Sequence, residues 1–420
     1  MEPRSFAALF EARVAAAHSP PRSLAPGECH APDGRPCGLC YAMRLPYETE
    51  AHLKAEAAGE FWSSVAGSVP LAPLVPSPMG RAYRTVSKRK AFPARDGIRL
   101  GLIGPQSDGI AVGRCTIEPE SHAAIYHDLD GRLRERASLP LSELLQYAII
   151  RGNYREQTVL FNVRAITPAL VRAANRISRA LSGRFGKSLA GVFLFEGEPD
   201  ARYYLTPRER GAIPEPRKIF GRNQLFLRVG EGKFLYPPMV FSQVNESLLE
   251  LFLAGARTLL SPTGGETLYD LYCGYGLFAL SLAPLVRRVV GVESSPLAVA
   301  AATANARRRQ ITSARFLCRS LSADSAADVT ARSTARTLML LDPPRGGTAP
   351  GVLEALAERL PQRVVHIFCN MEILPQELQR WQKTGYRPER AVPFDMFPGT
   401  PELEMMVLLV PHNAPVPRRP

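Results

Sequence analysis

The chain has 420 residues, 45% of them hydrophobic, and carries 52 Lys and Arg against 39 Asp and Glu, a formal net charge of +13. That length and apolar content exclude a disordered chain and fit two or three folded domains. The positive balance favours a polyanionic partner, nucleic acid before acidic membrane.

No run reaches the ~18 apolar residues of a membrane span. The opening stretch, MEPRSFAALFEARVAAAHS, lacks the cationic start and continuous apolar run of a secretory signal. Glu2 and Glu11 argue against a transit peptide, so a cytoplasmic protein is expected. Phe6, Leu9, Phe10 and Val14 mark a short amphipathic helix. Residues 1–27 read as a helical extension ending in a Pro-rich turn. Residues 28–62 hold Cys29, Cys37 and Cys40, then a helix from about Tyr47 to Trp62. A reducing compartment argues against disulfides. The cysteine cluster therefore reads as metal ligation, and residues 1–66 form a first unit.

A Pro-, Gly- and Ser-rich connector (67–81) leads into a central α+β domain spanning 67–240. Its segment RAYRTVSKRKAFPAR (81–95) interleaves basic residues with Tyr83 and Phe92. That pattern suits phosphate neutralisation and base stacking in an RNA-binding domain. Strand-like runs TVLFNVRAI, GVFLFEG and QLFLRVG flank one clear helix at 168–183.

From 241 to 420 the texture becomes regular strand–helix alternation. A helix over Ser242 to Leu260 precedes strand 266–272 with helix 277–286, and strand 288–293 with helix 296–309. Strand 336–341 leads to helix 350–360, strand 363–368 to helix 372–384, and two strands near 388–394 and 402–410 close the chain. The pattern predicts an α/β, Rossmann-like parallel sheet finished by an antiparallel hairpin. Arg307, Arg308 and Arg309 end one helix, where its dipole favours cations.

Gly274 and Gly276 follow a buried strand and precede a helix, where glycine permits a sharp turn and close ligand approach. Glu293 ends the next strand, 19 residues after Gly274, the spacing of an acid that accepts ribose hydroxyls. No third glycine admits a pyrophosphate, which favours S-adenosylmethionine over a dinucleotide. Asp342 ends strand 336–341, before Pro343, Pro344 and Arg345. Cys369 ends strand 363–368 on the same rim, and the expected helix start behind it would favour the thiolate. Glu404 and Glu402 lead the last strand, and physics alone leaves both open as a base. Together these groups suit methyl transfer to a ring carbon: a thiolate adds to carbon-6 of a uracil, carbon-5 takes the methyl group, and a base removes the carbon-5 proton.

As an ordered set, FSQVN (241–245), DLYCGYG, GVE, DPPR, the cysteine followed by Asn, and FPxTxxxE resemble the S-adenosylmethionine-dependent RNA 5-methyluridine methyltransferases. The resemblance covers most of residues 28–410. It implies a class I methyltransferase sheet and contacts to S-adenosylmethionine from Gln243, Tyr272, Glu293 and Asp342. It also makes Cys369 the nucleophile, and its register selects Glu404 as the base. Cys29, Cys37 and Cys40 with Cys115 are similar to the four-cysteine [4Fe-4S] site of the ribosomal-RNA branch, in a structural or RNA-positioning role. With only 28 residues before Cys29, no N-terminal RNA-binding barrel is expected. That is similar to the compact member acting on large-subunit ribosomal RNA. The expectation is a monomer that methylates a 23S rRNA uridine. Transfer RNA as substrate, or a non-catalytic RNA-binding assembly factor, are the alternatives. Phe368, Met371, Leu277 and Glu402 stand where the family commonly has Ser, Pro, Asn and His.

Overall fold

The computed structural model describes residues 5–17, 23–24, 28–30, 34, 36–95, 97–104, 107–197, 205, 215–334 and 336–413. Two helices open the chain, α1 (Phe6–Ala16) and α2 (Tyr47–Ala66). The Ser5 hydroxyl caps α1 by accepting from the Ala8 N–H at 3.1 Å. Phe6, Leu9 and Phe10 are buried on one face of α1, and Phe6 meets Phe61 of α2 edge-on at 6.4 Å. Both helices share one core with Tyr269, Val290, Met339 and Val364 of the C-terminal sheet. The Pro-rich turn expected to end residues 1–27 lies largely outside the described residues.

The central sheet contains β1 (Val86–Ala94), β2 (Gly97–Ile103), β3 (Gly109–Ile110), β4 (Leu145–Gly152), β5 (Gln157–Val163), β6 (Leu189–Glu196) and β7 (Arg217–Gly221), in the order β3-β2-β1-β4-β5-β6-β7. Between β3 and β4 run α3 (Glu120–Leu133) and α4 (Leu139–Ser142). Only β5 and β6 pair in parallel, because α5 (Pro168–Phe185) crosses between them. Thr167 caps α5 by accepting from Leu170, and Leu170, Ala173, Ala174, Ile177 and Leu181 line its buried face. A two-stranded hairpin, β8 (Leu225–Val229) and β9 (Gly232–Tyr236), then leads to the third part of the chain.

There α6 (Leu249–Leu260) precedes β10 (Thr267–Leu271), α7 (Leu277–Leu282), β11 (Arg288–Glu293), α8 (Pro296–Arg308), β12 (Ala314–Cys318) and α9 (Ala323–Val329). Next come β13 (Thr337–Leu341), α10 (Val352–Ala357), β14 (Arg363–Phe368), α11 (Leu374–Lys383), β15 (Tyr386–Phe394) and β16 (Glu404–Pro411). Strand order is β12-β11-β10-β13-β14-β16-β15; β10 to β14 run parallel and β16 is antiparallel to both neighbours. The predicted doubly wound sheet and closing hairpin are present. Sequence order reverses between β10 and β13, and open α/β sheets bind ligands at such a switch point.

Two elements of this C-terminal part were not anticipated, and neither was α3 of the central domain. β12 is an edge strand with no fully buried residue, so it lacks a strong apolar signal. The seven-residue α9 is too short for periodicity and is held by a reciprocal Ser322–Ser325 cap. The helix expected from Ser242 begins only at Leu249, after a turn of 3-10 helix at Glu246–Leu248. The buried side chains of Ser242 and Asn245 are committed elsewhere: Ser242 accepts from Arg151 at 2.7 Å, and Asn245 donates to Ser77 at 2.9 Å.

Candidate active site

Strand register brings the expected residues to one rim. Leu271 pairs with Val292 of β11 and with Leu341 of β13. One residue further along, Tyr272, Glu293 and Asp342 therefore stand level at the carboxyl ends of three neighbouring strands. The N–H groups of Tyr272 and Cys273 both donate to the Val292 carbonyl, at 2.8 and 3.0 Å. This turns the chain sharply and holds Tyr272 at φ 67, a left-handed conformation that costs energy for a bulky residue.

The two glycines divide the work of the turn. A Cβ on Gly276 (φ 85) would stand 3.2 Å from Ala302 and 3.3 Å from Leu280 and Phe316, so this glycine lets the helix pack closely. Above Gly274 (φ 53) there is nothing within 4 Å, so a ligand can approach its backbone. Glu293 accepts from the Gly274 N–H at 3.2 Å with one oxygen and from the Ser295 N–H at 2.7 Å with the other. Beneath them lies Asp270, a carboxyl that sequence reasoning passed over. Its signal was an acid inside the otherwise apolar run LYDLY. It accepts from the Ala279 N–H at 2.7 Å, and burial, then the charges of Asp342 and Glu293, push its pKa up to about 8. Gln243 is half-buried on the loop between β9 and α6.

Across β14 and β16 the register pairs Phe368 with Met405, which sets Cys369 opposite Glu404. The two candidate bases are physically different. Glu402 precedes the strand and accepts from Arg345 Nη2 with both oxygens, at 2.6 and 2.7 Å. Glu404 is 2% exposed, and its Oε2 has no hydrogen-bond partner among the described residues. Burial, reinforced by Asp342, raises its pKa well above the carboxylate range. Asp342 is itself pushed up to about 7 by burial.

The thiol departs from the sequence expectation. Residues 371–373 form a turn and α11 starts only at Leu374, so no helix N-terminus lies directly behind Cys369. Burial pushes its pKa up to about 12, and the charges of Glu404 and Asp342 act the same way; only Arg345 and a backbone hydrogen bond oppose them. The sulfur's contact to the Pro343 carbonyl is long, at 4.0 Å. In the free protein burial therefore disfavours the ionised forms of the thiol and of both carboxyls. A cation placed among these groups would lower all three pKa values. Phe368 and Met371, which depart from the family pattern, are 1% and 4% exposed and pack in the core; Phe368 stacks on His366 at 4.1 Å. Leu277 is buried at the start of α7.

The four N-terminal cysteines come to one place. Cys29 N–H donates to the Arg114 carbonyl at 2.9 Å, and Cys37 N–H to the Cys29 carbonyl at 2.7 Å. Burial raises the pKa of Cys40 and Cys115, and neighbouring thiols add to it: Cys29 and Cys37 act on Cys40, and Cys40 acts on Cys115. The Cys29 sulfur lies 2.8 Å from the Thr116 hydroxyl. Among the described residues, no three His, Cys, Asp or Glu side chains are spaced to hold a metal ion. Four thiols are a soft donor set, while their arrangement here is not a closed ligand shell.

The basic tract is also less available than expected. Tyr83 is fully buried and donates to the Pro398 carbonyl at 2.9 Å. Arg89 is buried in a bidentate pair with Glu118 at 2.7 and 2.8 Å. Lys88, Lys90 and Phe92 are half-buried. No helix among the described residues is long and apolar enough to cross a membrane.

Comparison with known proteins places the chain in a family. The model of the tRNA (uracil-5-)-methyltransferase family matches residues 221–412. The 23S rRNA (uracil(1939)-C(5))-methyltransferase RlmD of Aeromonas salmonicida is 32% identical over 388 residues, covering 89% of this chain and 80% of that one. The 23S rRNA (uracil(747)-C(5))-methyltransferase RlmC of Vibrio vulnificus is 28% identical, covering 89% of this chain and 97% of that one. The crystal structure of the Pyrococcus abyssi tRNA (uracil-54, C5)-methyltransferase with S-adenosyl-L-homocysteine superposes with a TM-score of 0.67 at 21% identity. It covers 88% of this chain and 86% of its own, and shares the fold.

Proposed function

The chain belongs to the S-adenosylmethionine-dependent RNA 5-methyluridine methyltransferases, and on that premise we propose that it methylates carbon-5 of a 23S rRNA uridine through a covalent adduct on Cys369. The observation that carries the mechanism is the Phe368–Met405 register of β14 and β16, which sets Cys369 opposite Glu404, one strand from Asp342.

S-adenosylmethionine supplies an electrophilic methyl group on a cationic sulfur. The site would receive it over Gly274, with Glu293 on the ribose hydroxyls and Tyr272, Asp342 and Gln243 around the rest. Its positive charge offsets the repulsion among Asp342, Glu404 and Cys369 and favours their ionised forms. The Cys369 thiolate adds to carbon-6 of the uracil and leaves an electron pair at carbon-5. Carbon-5 bonds to the methyl carbon while the methyl–sulfur bond breaks, its electrons staying on the departing thioether. Glu404 then removes the carbon-5 proton. The 5,6 double bond re-forms as the carbon-6–sulfur bond breaks and the thiolate returns. The uridine must leave any helical stack to reach this rim.

The test is mapping of 5-methyluridine in ribosomal and transfer RNA with and without the gene. Loss at one 23S position, restored by the wild-type chain, is the expected result. Loss confined to transfer RNA would overturn the substrate assignment. No change in either RNA would overturn the catalytic reading in favour of a binding factor.

Cys29, Cys37, Cys40 and Cys115 would hold a [4Fe-4S] cluster outside the reaction path. The soft four-thiol donor set and its convergence support this, and closure of the shell requires Cys29 to leave Thr116. Protein purified without oxygen is expected to contain about four iron and four sulfide per chain, and Cys115→Ser to lose them. An iron-free wild-type chain that still methylates RNA would remove the cluster from the proposal.

A further inference from the structure

The segment Asp395–Thr400 carries the chain from β15 toward Glu404, and it is anchored from outside the sheet. Lys54 of α2 donates to Asp395 at 2.8 Å and to the Phe397 carbonyl at 3.0 Å, and lies 3.2 Å from Glu50. Glu50 accepts from the Gly399 N–H and pairs with Arg81 at 3.0 Å. The Tyr47 hydroxyl donates to Asp395 at 3.0 Å and accepts from the Ser77 N–H at 2.6 Å. The Tyr41 N–H, next to Cys40, donates to the Gly399 carbonyl at 2.7 Å. Asn245 reaches the Met396 carbonyl at 3.3 Å.

Lys54, Glu50 and Asp395 are all 0% exposed. Burying charges is costly even when they are paired, and an apolar set of the same shape is often as stable. What the charged set adds is direction: Lys54 on the Phe397 carbonyl and Glu50 on the Gly399 N–H fix where the backbone of this one segment runs. Gly399 (φ 88) completes the fit, since a Cβ there would stand 3.0 Å from Ile117 and 3.1 Å from Ala42. The loop before the base is thus tied to α2 and to the stretch that carries Cys40, and Gly399 packs beside Ile117 of the stretch that carries Cys115.

We propose that Lys54, Glu50 and Asp395 form a positioning set that holds the 395–400 loop so that Glu404 faces Cys369. It would act on proton removal rather than on adduct formation. This rests on the reading of Glu404 as the base. A displacement of about 1 Å at such a group costs on the order of 10²-fold in rate.

The experiment compares two RNAs. With 5-fluorouridine RNA there is no carbon-5 proton to remove, so the methylated adduct on Cys369 accumulates without the base. With uridine RNA, turnover needs the base. Lys54→Met combined with Asp395→Asn removes one charge of each sign and leaves Glu50 paired with Arg81. Tyr47→Phe loosens the same anchor mildly and guards against misfolding of the double variant. We expect adduct formation on 5-fluorouridine RNA within about threefold of wild type, turnover on uridine RNA reduced by roughly 10- to 100-fold in the double variant and less in Tyr47→Phe, and adduct accumulating on uridine RNA. A parallel fall of adduct formation and turnover in folded protein would overturn the proposal, as would unchanged turnover in both variants. Absence of any 5-fluorouridine adduct from the wild-type protein would instead overturn the covalent mechanism itself.

Discussion

Cys369→Ala is expected to lower methyl transfer by roughly 10⁴-fold or more while leaving RNA affinity within a few-fold of wild type. Carbon-5 of uracil has little nucleophilic character until a group adds at carbon-6, and among the described residues no other cysteine is set opposite Glu404 by strand register. The loss should be insensitive to donor concentration, because the missing step is bond formation to the base. The wild-type pH profile follows from the same site. With the thiol pushed up to about 12, its thiolate fraction in the free protein rises about tenfold per pH unit through the neutral range. Single-turnover adduct formation at low donor concentration should climb accordingly. At saturating donor the limb should move to lower pH, because the sulfonium charge favours the ionised thiol. A flat profile from pH 6 to 9 under both conditions would mean that thiol ionisation does not limit the step. Wild-type turnover in Cys369→Ala would end the covalent reading.

Much of this site is legible in the sequence because parallel strands convert linear order into a spatial row. Each of Tyr272, Glu293 and Asp342 follows an apolar strand, and register does the rest. What the sequence hides is what depends on burial by distant segments. Glu50 and Lys54 are four apart on a helix, the pattern of a solvated ion pair, yet both are fully enclosed because α2 lies on the 395–400 loop. Tyr83 and Arg89 look like an RNA-facing tract, but Pro398 and Glu118 claim them. The thiol was expected to be acidic on the assumption that a helix starts at once behind it. Three residues of turn intervene, and desolvation decides instead. Core identity and strand order are local properties of apolar runs; pKa values and ion pairs belong to the assembled fold.

Glu404→Gln should separate the two halves of the reaction. Gln keeps the size of the side chain but cannot accept the carbon-5 proton, so turnover should fall by about 10²- to 10⁴-fold. Methyl transfer to the adduct needs no base, so a methylated RNA–protein adduct should accumulate on ordinary uridine RNA and survive denaturing gels. Glu402→Gln is the control: Glu402 lies outside β16, paired with Arg345, and its loss should leave turnover within a few-fold. Stability gives an independent readout with a definite sign. Because the folded pKa of Glu404 is raised, the native state holds a proton that the unfolded chain releases above about pH 4.5. That contribution is complete below the unfolded value and is lost as pH rises toward the folded one, so wild-type stability should decline through this window. The uncharged Gln cannot incur that loss, and Glu404→Gln should resist denaturant better than wild type near pH 8. A variant that is less stable at every pH and forms no adduct would show Glu404 to be a structural partner. One that gains stability and traps the adduct shows a carboxyl held against its own ionisation for the sake of the proton it removes.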